Sequence, residues 1–161
     1  GDARFTNMAN AGMVNVGQLV RQGHDDEGVV LVGFGSHRGS VIAGEEWGAP
    51  MERMRVPEAR SGSWEHVMHE ALRRSPEALG AALLLFDDAN DGGFPGLDEP
   101  IAHRAIGVVY DPGHERWGNY VPTVVARRYD AFIFIDETHA LSPLHLPVRV
   151  GEVPETFPSG E

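Results

Sequence analysis

His37 and Arg38 stand inside a glycine-punctuated run, Gly33-Phe34-Gly35-Ser36-His37-Arg38-Gly39. A histidine can take or give a proton near neutral pH. An arginine can clamp a carboxylate or an oxyanion. A dinucleotide loop would need a helix to begin directly after such glycines. Here the β-branched Ser40-Val41-Ile42-Ala43 follows, then Gly44, so no nucleotide cofactor is expected. His66 and His69 are three apart on one helix face, with Glu65 and Glu70 beside them. Two histidines at that spacing could share a metal. The zincin order His-Glu-x-x-His differs from the His-x-x-His-Glu found here, and no third ligand is evident, so no metal is expected. Asp88 to Glu99 places acidic residues at calcium-loop offsets, but Pro95 and Pro100 oppose the required β pair and exit helix. A solvated acidic loop is expected instead.

Arg104 opens an apolar run, where a charge is costly unless paired. Its expected partner is Asp136 or Asp130, unless it holds a substrate oxygen. Asp136, Glu137 and His139 follow another apolar run, and an aspartate with a histidine could form an acid–base pair. No Gly-x-Ser-x-Gly elbow occurs in the chain, which disfavours a serine-triad hydrolase.

The elements that position these residues follow from hydrophobic periodicity. Ala105–Tyr110 and Ala131–Ile135 read as buried strands flanking an amphipathic helix over Asn119–Tyr129. That is a β-α-β unit, and ligands bind beyond the carboxyl ends of such strands. Gly12–Gln22 reads as a helix with Val16, Leu19 and Val20 inward. Val29–Phe34 reads as a strand buried on both faces, Gly33–Gly39 as a loop and Ser40–Ala43 as a short strand. Residues 48–62 read as irregular. Ser63 caps a helix to about Arg74, with Val67, Ala71 and Leu72 inward. Ser75-Pro76 reads as a second helix start and Ala81–Phe86 as a strand. Four apolar strands interleaved with helices predict a three-layer α/β/α arrangement around a mainly parallel sheet.

The 161 residues fit one domain or part of one, and 42% hydrophobic content can build a core. A net charge of −11 disfavours nucleic acid and anionic membrane partners. The absence of cysteine excludes disulfides and thiolate metal sites. No apolar run approaches the ~20 residues that span a bilayer, and the start has no charged-then-apolar signal pattern. A cytoplasmic location is expected.

A series of blocks adds a resemblance. Arg104-x-Ile106-Gly107, Glu115-Arg116-x-x-x-Tyr120, Arg128-Tyr129-Asp130-Ala131 and Ile135-Asp136-x-Thr138-x-Ala140-Leu141 are similar to the erythromycin esterase family. So are Gly1-Asp2-Ala3-Arg4, Asn15-Val16-Gly17-Gln18, Val32-Gly33-Phe34-Gly35, Val56-Pro57-x-Ala59, and Gly62-Ser63-x-Glu65 with His69. The resemblance implies ester or lactone hydrolysis by an activated water. It also implies that the histidine and glutamate credited with that activation precede residue 1. Residues 1–145 would then be the C-terminal part of an incomplete domain, inactive alone, and 146–161 a disordered tail. On this footing His37 and Arg104 are the catalytic candidates, and Arg38, His69 and Asp136 the substrate-binding ones. The partners expected are a small-molecule ester or lactone and an upstream fragment or a second copy. The alternative is a non-catalytic half-domain that associates with itself or another chain, because a sheet cut mid-domain leaves an open edge and an apolar face.

Overall fold

The computed structural model describes residues 1–24, 28–77, 79–86 and 97–142. Their elements are α1 (Val16–Gly23), β1 (Val32–Ala43), β2 (Glu52–Val56), α2 (Trp64–Arg74), β3 (Ala81–Leu85), β4 (Ile101–Arg104), α3 (Glu115–Gly118), β5 (Tyr120–Thr123), α4 (Val125–Arg128) and β6 (Ala131–Thr138). The class is α/β, but the expected mainly parallel sheet gives way to a mixed one. Its order is β2-β1-β6-β3, and only β1 and β6 run parallel. A separate antiparallel pair joins β4 to β5. The tail expected over 146–161 and most of the calcium-like loop lie outside the described residues.

The Gly33–Gly39 segment is not a loop. It belongs to one strand of 12 residues, and its glycines serve close approach. A Cβ on Gly33 or Gly35 would lie 2.6 or 2.8 Å from the Phe132 ring on neighbouring β6. At Gly39, φ is +140°, and a Cβ would collide with the Thr138 carbonyl. That conformation is open only to glycine. It sits where β1 stops pairing with β6 and starts pairing with β2. The segment read as irregular thus contains β2.

The expected β-α-β unit is also corrected. Ala105–Tyr110 forms no strand beyond a single bridge from Val109 to Gly44; the strand lies just before it, at Ile101–Arg104. Asn119–Tyr129 splits into β5 and the one-turn α4. Pro122 and the β-branched Val121, Thr123 and Val124 oppose a long helix. A proline is tolerated in β5 because its ladder with β4 leaves Pro122 on an edge.

Alternation assigns the two faces of the sheet. Gly33, Gly35, His37, Ala82, Leu84, Phe132, Phe134 and Asp136 share the inner face. Trp64, Met68 and Leu72 of α2 pack there with Val125, Tyr129, Phe132 and Phe134. Ser63 caps α2 as expected, accepting from the His66 amide at 3.3 Å. The buried side of α2 is rotated from the expected one: Val67 and Ala71 face solvent. A smaller cluster, Ala43, Met54, Val56 and Tyr110, closes the β2 end. The outer face carries Val32, Phe34, Leu83, Leu85 and Ile135, which are 38–65% exposed, so no described helix covers it. Helix α1 begins at Val16 behind an Asn15 cap, and Val16, Leu19 and Val20 are exposed rather than buried. Ser75 and Pro76 enter a turn instead of a helix. No described helix is long and apolar enough to cross a membrane.

Candidate active site

Three of the five residues singled out from the sequence meet at the carboxyl end of the parallel β1–β6 pair. His37 projects from β1, Asp136 from β6, and His69 from the facing side of α2. The His69 Nδ1–Asp136 Oδ1 distance is 2.6 Å. A carboxylate acceptor at Nδ1 places the neutral ring's proton there, leaving Nε2 as the basic nitrogen. Both side chains keep solvent access, at 19% and 25% exposure. The His37 ring stacks on His69 with centroids 3.7 Å apart and planes 8° apart. His37 itself is buried, and its Nδ1 has no hydrogen-bond partner among the described residues. Burial, then the neighbouring His69 ring, holds its pKa below the usual histidine value, against a weaker pull from Asp136. His37 is therefore the neutral inner ring of the stack, and His69 the ring that reaches solvent.

One turn before His69 on the same face of α2, Glu65 is fully buried. Its Oε1 lies 2.5 Å from His103 Nδ1 and accepts from the Arg104 amide at 3.1 Å. His103 Nε2 lies 3.2 Å from the Tyr129 hydroxyl. Glu65 Oε2 has no hydrogen-bond partner among the described residues. Glu65, His103 and Tyr129 thus form a polar line through the core beside the stacked histidines. Burial raises the Tyr129 pKa, so its phenol stays protonated.

Arg104 is an internal tie. Its Nε donates to Glu115 at 2.8 Å and to the Tyr120 hydroxyl at 3.1 Å. Nη1 donates to the Ser36 and His37 carbonyls, both at 3.1 Å, and Nη2 to the Pro57 carbonyl at 3.0 Å. Its partner is Glu115, neither Asp136 nor Asp130. Asp136 serves His69, and Asp130 is bound by Arg21 at 2.6 Å. Arg104 contacts the backbone of His37 and so sets where that ring stands.

Arg38 is not in this cluster. Neighbours on a strand point to opposite faces, and Arg38 lies on the outer face, 3.1 Å from Glu137 and 3.5 Å from Glu58. Nearby, an open cleft of about 310 Å³ is lined by Ser40, Arg53, Arg55, Glu137 and His139 among others. Among the described residues no group of three or more His, Asp or Glu side chains is arranged to hold a metal ion.

Sequence reasoning passed over His103 and the roles of Glu65, Glu115 and Tyr120. Glu65 carried a usable signal, since residues four apart on a helix share a face and His69 was already marked. His103 carried none, because its partners come from α2 and the end of α4.

A family model described as erythromycin esterase matches residues 1–138. No solved structure matches the chain.

Proposed function

The chain belongs to the erythromycin esterase family, and from that premise we propose that it supplies one wall of a site that hydrolyses small-molecule esters or lactones. The observation that carries this reading is the His69–Asp136 pair, solvent-accessible and backed by the His37 ring. Ester hydrolysis moves two protons. One leaves the water that attacks the carbonyl carbon, and one must reach the departing alkoxide as the tetrahedral adduct collapses. His69 Nε2 suits one of these transfers. Asp136 fixes the tautomer and stabilises the imidazolium that forms when Nε2 takes a proton. His37 and Arg104 act as positioning residues, the first by stacking on His69 and the second by holding the His37 backbone. The family resemblance assigns the other transfer to a histidine and a glutamate that these 161 residues do not include.

The developing oxyanion also needs a donor. Arg104, a buried cation bonded to the His37 carbonyl, already gives four of its five N–H groups to protein oxygens. The chain alone is therefore expected to bind such a substrate at the His69 edge and to turn it over at close to the buffer rate. The test has two readings. In NMR, titration of a macrolide lactone should shift the ring protons of His69, and Asp136→Asn should weaken that response. Unmoved His69 signals would remove the site. Turnover in the ordinary enzyme range of about 1–10³ s⁻¹, abolished by His69→Ala, would overturn the partial-site reading. A second reading, a non-catalytic half-domain that works by association, draws on the uncovered outer face of the sheet.

A further inference from the structure

Among the described residues, two apolar surfaces have no partner. The first is the outer face of β1, β6 and β3. Register places Phe34 beside Ile133, and Ile133 beside Leu83. Val32 and Leu85 flank Ala131 at one end, and Ile135 continues the row at the other. This face is uncharged until the Arg38–Glu137 pair at the carboxyl ends of the strands. The second is the stripe Val16, Leu19 and Val20 on α1, at 75%, 58% and 39% exposure. Its i, i+3, i+4 spacing is that of a helix face meant for burial. The stripe is held outward. Arg21, on the same helix, is tied to Asp130 at 2.6 Å and to Asp2 at 3.6 Å, and α1 packs on the turn at Ala3–Phe5 rather than on the sheet.

We propose that two copies of this chain associate reciprocally, with α1 of each lying across the outer sheet face of the other. The dimensions agree. A helix of eight residues is about 12 Å long, and the outer two of three strands are about 10 Å apart. At about 150 Å² for a large side chain, the five sheet residues expose roughly 400 Å² and the three helix residues roughly 250 Å². Each copy then brings about 650 Å² of apolar surface, near the ~800 Å² that one partner contributes to a stable complex. A two-fold arrangement closes on itself and leaves neither surface free. It also places a helical layer over the outer face of the parallel β1–β6 pair.

The experiment is sedimentation equilibrium of the 161-residue chain at concentrations up to about 0.1 mM, with circular dichroism as the check on folding. The native chain should reach twice its 17.5 kDa mass. Leu19→Glu on α1 and Leu83→Glu on β3 alter exposed positions and should each give a folded monomer. An equimolar mixture of the two variants should recover dimer with a higher dissociation constant, because one helix and one complementary sheet face remain intact. A native monomer at the highest concentration overturns the proposal. So does a Leu19→Glu variant that still dimerises while Leu83→Glu does not, since that marks sheet-on-sheet pairing. A mixture that stays monomeric overturns the reciprocal geometry.

Discussion

Replacing Arg104 by methionine tests whether the internal tie organises the site. The substitution keeps length and apolar volume but removes every donor of the guanidinium. Glu115, whose side chain is 3% exposed, is left as a buried carboxylate without its cation. Removing one partner of a buried ion pair costs about 3–5 kcal/mol. The Ser36, His37 and Pro57 carbonyls also lose their donor, and an unsatisfied buried polar group costs about 1–3 kcal/mol. Solvent can enter at Ser36 and Pro57, so a total near 5 kcal/mol is expected. For a domain of this size that lowers Tm by about 10–20 °C. The second arm is Arg104→Met with Glu115→Met. Removing both charges relieves the unpaired carboxylate and should return about 2–4 kcal/mol of the loss, a coupling that a double-mutant cycle isolates. Urea unfolding followed by tryptophan fluorescence measures Arg104→Met, Glu115→Met and the double variant, and Trp64 in the core is a suitable probe. The reasoning fails if Arg104→Met lies within about 1 kcal/mol of the native chain. It also fails if the double variant is less stable than the single one, since the carboxylate would then not be the source of the cost.

Three other outcomes follow from the same geometry. Gly39→Ala forces a side chain into a φ of +140° against the Thr138 carbonyl. It should cost several kcal/mol, seen as a lower urea midpoint and lost protection of the β1–β6 amides in hydrogen exchange. For His37, burial depresses the folded-state pKa, so the unfolded chain binds the proton more readily. Stability should therefore be full above the unfolded value of about 6.5 and fall as pH drops below it toward the folded value. His37→Gln should flatten thermal melts across pH 5–7; an unchanged slope would place the acid sensitivity elsewhere. Asp136→Asn replaces the charged acceptor at His69 Nδ1 by an amide that can either accept or donate. Nitrogen-15 shifts of the ring should then show a mixed tautomer population in place of one with the proton on Nδ1, and an unaltered spectrum would mean that Asp136 does not fix the ring.

What was legible in the sequence was whatever depended on neighbours along the chain. Ser63 announced the start of α2, and the apolar runs at Ala81–Phe86 and Ala131–Ile135 became β3 and β6 within a residue or three. Two of the misreadings have their cause in glycine and proline. Gly33, Gly35 and Gly39 looked like a loop because glycine is usually placed for turning. Here two of them make room for the Phe132 ring and the third lets β1 change partners. Pro122 reads as part of a helix but lies in an edge strand, where its missing N–H costs nothing. The site shows the same division. His37, His69 and Asp136 were each marked from the sequence, but their meeting depends on the parallel register that sets Ser36 beside Ile135 and Arg38 beside Glu137. No local pattern encodes that register. Arg104 was recognised as a charge that must be paired, yet its acceptors come from β1, α3, β5 and the segment after β2, all distant in sequence. Four of the five N–H groups of this buried arginine go to protein oxygens, which ties it in place. Its hold on the His37 backbone reaches His69 through the stacked ring.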